Sequence, residues 1–384
     1  MRAKYSIALA LLLTAQVVRA GCPPALVTVA ESVSRLRAVP APFAPPCRFV
    51  AASALRAELD RKLRADLPLA PERFLEVLFR LALVDDAPTI VYPRLLDFYA
   101  TQVLAYYEPA RNEMVLLEGP AAQQVSAQLV WAHELGHAAQ ERRFKLPSRL
   151  YLLADNADAQ RAASAIAEGD ALLTMLAVAG GGADLGEMAE ATLTGAAAAL
   201  PDVDGVPEYF VADLLFPYTE GLRAVLREYR RGGFAAIDAL LAAPPGSTAA
   251  LLHPDRPAPG PALGDTVLPP VPPGWESVVS DSLGEWGLRF WLARRLDEET
   301  ARRLAHTWDG DRLRLVAHEG EWALVWRLRC RDEAGRVTLE AGLRGVLPGL
   351  LTRLGDNAPP PMLWHSAGRE LEIRANWPAA PAAT

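Results

Sequence analysis

The stretch W-A-H-E-L-G-H-A-A-Q contains H-E-x-x-H at His133, Glu134 and His137. Residues four apart on an α-helix differ by about 40° around the axis, so the two imidazoles share one face and can grip one Zn²⁺. Glu134 lies beside that face and can take a proton from a water whose pKa the ion lowers to about 7. The competing reading is a pair of exposed helix histidines salt-bridged through Glu134. Gly136 inside the helix costs about 1 kcal/mol against Ala, which a close approach by backbone or substrate would justify.

Zinc needs a third protein ligand, with the fourth position left to water. No His occurs between His137 and His253, so the metzincin pattern H-E-x-x-H-x-x-G-x-x-H is absent. Glu168, in A-I-A-E-G-D-A-L-L, is the better candidate. Ala165, Leu172 and Met175 lie at i−3, i+4 and i+7 from it, which puts the carboxylate on an apolar stripe. A carboxylate there needs a cation or several donors. A metal would supply the first, and a paired arginine is the structural alternative. Asp158 and Asp170 are candidates for orienting an imidazole N–H. For the oxyanion of a tetrahedral intermediate the candidate electrophiles are His253, Tyr107 and Tyr218. His253 sits in L-L-H-P-D-R-P, where it competes with a solvated loop histidine. The two tyrosines compete with aromatics packed in a core.

These residues must be positioned by helices and short strands. The periodicity predicts helices over 51–66 and 71–83, a hairpin of 103–107 with 114–117, and a long helix from Gly119-Pro120 to about Arg143. A helix capped by Asp155 or Asn156 runs through Leu176 to the Gly180-Gly181-Gly182 stop. Another covers about 208–230 with a bend at Pro217, and a short one lies near 234–241. Ten prolines between Pro244 and Pro273 mark a boundary. Beyond it, 282–295 and 298–306 read as helices, and 313–316, 322–330 and 337–343 read as strands. The strand at Met114 to Leu117 would be the edge along which an extended peptide adds.

The 384 residues allow two domains. The expected division is a signal peptide at 1–20, a Pro-rich arm at 21–50, and a zincin-like catalytic domain at 51–243. A connecting segment at 244–273, a C-terminal α+β domain at 274–375 and a loose tail at 376–384 follow. Arg2 and Lys4, the apolar run Ile7 to Val18, and Val18-Arg19-Ala20 before Gly21 form the export signal. The apolar run is too short for a comfortable membrane span. The chain is therefore expected to be periplasmic or extracellular. The net charge of −7 becomes −10 without residues 1–20, since Arg2, Lys4 and Arg19 go and 36 − 46 remains. No basic patch for nucleic acid is indicated. In an oxidising compartment Cys22 and Cys47 can pair and leave Cys330 over. Lipidation of Cys22 ranks second, because Arg19 stands where a lipobox wants Leu.

Several segments follow one another in order: V-L-A-Y-Y-E-P, A-H-E-L-G-H-A-A-Q-E, E-G-D-A, L-L-F-P-Y-T-E-G, S-T-A-A-L-L-H-P-D-R-P and W-D-G-D-R. The set resembles a family of largely uncharacterised exported bacterial HExxH proteins, regarded as zinc metallopeptidases of the gluzincin kind. The resemblance runs from about Val103 to Arg312. It implies His133, His137 and Glu168 as ligands and Glu134 as base, and it draws attention to Tyr107, Tyr218 and His253 as recurring positions. Gly136 stands where the family often has Thr, Pro257 where it often has Tyr, and Thr307 where it has Gly before Trp308. Leu172 occupies the position of the usual gluzincin acid.

Taken together, the sequence predicts an exported zinc-dependent peptidase of α+β, zincin-like fold acting on a peptide or protein substrate. The alternative is a zinc-binding exported scaffold or chaperone-like protein without significant hydrolysis. Glu134 separates the two, because a scaffold needs no base there.

Overall fold

A computed structural model describes residues 21–66, 69–119, 125–150, 155–198, 205–355 and 357–378. The expected signal peptide and the last residues of the tail lie outside them. The fold is α+β, with two sheets set among helices.

The stretch expected as a Pro-rich arm begins with a helix, α1 (Pro24–Leu36). Pro24 suits a first helical turn, where its missing N–H costs nothing. Leu26, Val29, Ala30 and Val33 then recur at helical spacing and are buried. Strand β1 (Cys47–Val50) follows, and a Cys22–Cys47 disulfide ties it back to the start of α1. Cys22 and Cys47 are thus paired with each other and Cys330 is left over, buried.

Helices α2 (Ala52–Asp66), α3 (Pro71–Arg80) and α4 (Pro88–Gln102) lead to the hairpin of β2 (Ala105–Glu108) and β3 (Glu113–Leu117). The sheet order is β1-β3-β2, parallel between β1 and β3 and antiparallel between β2 and β3. The expected edge at Met114 to Leu117 is thus the central strand. The apolar run Met114-Val115-Leu116 is buried on both faces, as a strand with two neighbours requires. The edge strands are β1 and β2.

Helix α5 (Val125–Phe144), which carries H-E-x-x-H, and a short α6 (Leu146–Leu150) come next. Then α7 (Ala157–Gly180) runs through the middle of the molecule. Asn156 caps it, its Oδ1 accepting from Ala159 N–H at 3.0 Å, and Gly181 stops it at φ +53°. Among the described helices α7 alone is long and apolar enough to cross a membrane, but most of that apolar surface is packed inside the molecule. After α8 (Leu185–Ala198) and α9 (Glu208–Phe216), a π-helical turn at Pro217–Gly221 leads into α10 (Leu222–Ala242). Gly232 and Gly233 break α10 where the sequence shows two helices.

The Pro-rich stretch carries α11 (Thr248–Leu252) and is otherwise irregular. Arginines of the second sheet hold it down, with Arg314, Arg327 and Arg329 donating to the carbonyls of Pro269, Val267 and Pro261. That sheet is built from β4 (Glu276–Asp281), β5 (Trp308–His318), β6 (Glu321–Cys330), β7 (Met362–Ala367) and β8 (Glu370–Ala375). Its order is β4-β5-β6-β8-β7, antiparallel throughout. Helices α12 (Gly284–Ala293) and α13 (Glu298–Ala305) fall close to expectation. The expected strand at 337–343 is instead part of α14 (Glu333–Leu350). Asp332 caps that helix, and Leu339, Leu343, Val346, Leu347 and Leu350 line one buried stripe. A seven-residue window was too short to show this period. Buried residues from Leu75 to Ala375 form one continuous apolar cluster, so the helices around α7 and the second sheet share a core.

Candidate metal centre

Helices α5 and α7 pack closely because small residues face each other. A Cβ on Gly136 would lie 3.1 Å from the Ala171 Cα, so the glycine read from the motif answers to an approach by backbone. The packing brings Glu168 over His133 and His137. His133 Nε2 is 3.1 Å from Glu168 Oε2, His137 Nε2 is 3.4 Å from Glu168 Oε1, and the two Nε2 atoms are 3.2 Å apart.

These three separations test the fit to zinc. Bonds of about 2.0–2.1 Å at tetrahedral angles place neighbouring ligand atoms roughly 3.3 Å apart. All three edges fall around that value. The alternatives for the separate residues do not hold here: the imidazoles converge on Glu168 and not on Glu134, and no arginine pairs with Glu168 among the described residues. Burial works against charge at His137 and Glu168. Their mutual attraction outweighs it, raising the His137 pKa to about 10 and holding the Glu168 carboxyl well below its ordinary range. The pocket thus favours positive charge between these atoms, which is what a cation supplies. The three side chains retain 12%, 14% and 27% exposure, so solvent reaches the cluster.

Glu134 reaches the hairpin. Its Oε2 accepts the Tyr107 main-chain N–H at 2.9 Å, and burial raises its pKa above the ordinary carboxylate value. Main-chain pairing explains the contact. Leu104, Tyr106 and Glu108 face β3, while Ala105 and Tyr107 turn their main-chain groups outward. The Tyr107 hydroxyl goes elsewhere, donating to Asn112 Oδ1 at 2.9 Å. Tyr107 is therefore placed at the site through its backbone and not through its phenol.

Tyr218 is brought in by the π-helical turn. A Cβ on Gly221 would lie 2.0 Å from the Ala165 carbonyl oxygen, and one on Gly169 would lie 2.5 Å from the Gly221 backbone. The two glycines let α7 and the π turn touch backbone to backbone. The Tyr218 side chain is thereby set beside the cluster, its ring centroid 6.2 Å from that of His133, and burial together with the nearby Glu168 and Glu134 carboxylates pushes its pKa up. Of the three candidate electrophiles, this is the one whose side chain lies beside the cluster.

His253 is placed apart. Its Nε2 lies 2.7 Å from Glu285 Oε1 on α12, and its ring packs edge-on against His306. Burial and the Arg256 guanidinium lower its pKa to about 4. Asp158 is also elsewhere, accepting from the Thr248 N–H and hydroxyl at 3.1 and 2.5 Å. It sits ten residues before Glu168 on α7, roughly 15 Å along the axis.

Asp170 does support an imidazole, through a residue the sequence reading missed. His137 Nδ1 is 3.1 Å from Gln140 Oε1, and Gln140 Nε2 donates to Asp170 Oδ2 at 2.9 Å and to the Ala167 carbonyl at 2.8 Å. Asp170 in turn forms a buried ion pair with Arg37, whose other Nη reaches Asp238 at 2.7 Å. The signal was present: Gln140 lies three residues after His137, one turn along the same face.

Comparison with known families gives one match, to a family described as Domain of unknown function (DUF8575), over residues 271–360. The matched stretch includes Glu285 and His306 and lies beyond His133, His137 and Glu168. No curated protein and no solved structure shows significant similarity to the chain.

Proposed function

We propose that the chain is an exported zinc-dependent peptidase with a zincin-like arrangement of the gluzincin kind, held together by His133, His137 and Glu168. The observation that carries this reading is the triangle of donor atoms with edges of 3.1, 3.2 and 3.4 Å. Zinc bound there would polarise a carbonyl and make water a nucleophile near neutral pH. The residues of the chain supply the rest. Glu134, fixed by the Tyr107 N–H, receives the proton from the attacking water and returns it to the leaving amine. The Tyr218 hydroxyl is the donor placed to stabilise developing negative charge on the carbonyl oxygen. The Ala105 main chain and the Tyr107 carbonyl, which face away from β3, form the edge to which an extended peptide would add, while the Tyr107 N–H stays with Glu134. Gln140 fixes the ring of His137 from behind. The Cys22–Cys47 disulfide supports the exported part of the reading, since such bonds persist in oxidising compartments.

Zinc content by elemental analysis tests the centre, and a screen of unfolded protein substrates tests the activity. The expected result is zinc bound by the wild type and lost from this centre in both His137→Ala and Glu168→Ala. Glu134→Gln should keep the metal and lose at least 10³-fold in turnover. A zinc stoichiometry as high in both ligand variants as in the wild type would remove the centre. Full hydrolysis by Glu134→Gln would remove the mechanism. Zinc binding without hydrolysis of any substrate would favour the scaffold reading.

A further inference from the structure

A second group of metal-ligating side chains lies outside this centre, where the Pro-rich segment meets the helices of the C-terminal sheet. His253 caps the end of α11, Glu285 is the second residue of α12, and His306 caps the end of α13. The donor atoms of all three lie within 4.8 Å of one another. Glu285 Oε1 is 2.7 Å from His253 Nε2 and 3.8 Å from His306 Nδ1, distances that bracket the roughly 3.3 Å edge of a tetrahedral zinc site. The rings stand 4.6 Å apart at 88°, so neither blocks the other's approach to the carboxylate.

The second observation concerns Glu285 itself. Its side chain is 95% buried, and Oε2 has no hydrogen-bond partner. A buried carboxylate oxygen left without a donor is costly, and a directly bound cation relieves it. Arg256 stands nearby without meeting the need. Its Nη1 is 2.5 Å from His306 Nδ1 but 4.0 Å from Glu285 Oε2, too far for a hydrogen bond. The guanidinium instead competes with an ion for the same imidazole nitrogen.

The geometry points to a second site for a divalent transition metal of the zinc class, with His253, Glu285 and His306 as ligands and Arg256 as the competing cation. Two imidazole nitrogens and one carboxylate select zinc and its neighbours over calcium or magnesium, which want more oxygens. His306 is 49% exposed on its side chain, so the ion enters from solvent and keeps a water in its remaining position. Bound there, the ion ties α11, α12 and α13 together and fastens the Pro-rich segment to the stretch that matches the uncharacterised domain. Competition from Arg256 makes this the weaker of the two sites. The inference stands independently of the peptidase reading.

Zinc binding to the full exported chain, stripped with chelator and dialysed against stepped free zinc, tests it. The wild type should take two equivalents, the second at higher free zinc. His306→Ala, at an exposed helix end where folding is little affected, should take one, and His133→Ala should also take one. Arg256→Met should fill the second site at tenfold or more lower free zinc. A wild type that takes one zinc, lost in His133→Ala and kept in His306→Ala, would overturn the second site and leave the first. One zinc lost in His306→Ala and kept in His133→Ala would uphold this site and remove the HExxH centre. Two equivalents in His306→Ala, or unchanged or weaker binding in Arg256→Met, would overturn the ligand set or the role of the arginine.

Discussion

At the scale of single residues, the proposed metal centre depends on how firmly His137 is aimed. Its Nδ1 faces Gln140, which is 1% exposed and clamped by Asp170 and the Ala167 carbonyl. Replacing Gln140 by Leu keeps the volume and removes the acceptor, so the ring gains freedom and loses its fixed tautomer. Zinc affinity should fall by about 10–100-fold, the usual cost of deleting such a support. Equilibrium dialysis of Gln140→Leu with free zinc clamped by a chelator reads this, with the far-ultraviolet circular dichroism unchanged. An affinity within threefold of wild type would show that the ring is held by packing alone. The two histidines and Glu168 were legible because helical spacing by itself fixes which side chains share a face. Gln140 was legible by the same spacing and was passed over because a neutral amide does not announce chemistry. The cluster of His253, Glu285 and His306 was not legible. Its members are 32 and 21 residues apart, and only the packing of α11 against α12 and α13 joins them.

At the scale of elements, the site is set by backbone contact between α7 and the π-helical turn. The sequence shows a bend at Pro217, but not that the bend is a π turn lodged against α7. That outcome depends on Gly169 and Gly221 meeting across two elements, a tertiary fact. The β5 strand illustrates the opposite difficulty. Only 313–316 reads as a strand, because Asp309, Asp311 and Arg312 interrupt the apolar pattern before it. Their charges are met inside the fold: Asp311 accepts from two tryptophan indoles and two main-chain N–H groups, Asp309 pairs with Arg329, and Asp265 pairs with Arg312 and Arg314. Burial then extends the strand to eleven residues. The close approach at the π turn makes a direct prediction. In Gly221→Ala the new methyl would stand 2.0 Å from a carbonyl oxygen that cannot swing aside. The variant should lose about 3 kcal/mol in urea unfolding. Gly345→Ala is the control, since its Cβ meets nothing within 4 Å on the exposed side of α14. There the same change should stabilise by about 0.5–1 kcal/mol through helix propensity. Equal effects at the two sites would mean that the α7–π contact is looser than its geometry implies.

At the scale of the whole molecule, the helices around His133, His137 and Glu168 and the second sheet are joined by polar contacts as well as by their common core. Asp158, at the start of α7, is 1% exposed and reaches Thr248 on α11. The glycine that opens α12, Gly284, has no room for a side chain, because a Cβ there would overlap the Asp158 carboxylate. The Asp311 carboxyl lies close enough to repel it, and Arg161 offsets this only in part. Burial, the largest cause, raises the Asp158 pKa from 3.8 to about 7. The sign of the consequence follows from proton counting. Between pH 3.8 and 7 the folded chain holds a proton at this position that the unfolded chain has released. The stabilising contribution is therefore complete below the unfolded pKa and is lost as pH rises through the folded one. Asp158→Asn replaces the neutral acid with a neutral amide that can still accept from Thr248 N–H, so the variant has no such loss. The stability of Asp158→Asn relative to wild type should therefore rise between pH 4 and pH 8. The ceiling is about 4 kcal/mol, from three pKa units at 1.36 kcal/mol each. Urea unfolding of both proteins across that range isolates the term, because every other titration cancels in the difference. A flat difference would mean that Asp158 ionises freely at the junction, and that water reaches the contact between the α7 helix end and the C-terminal sheet.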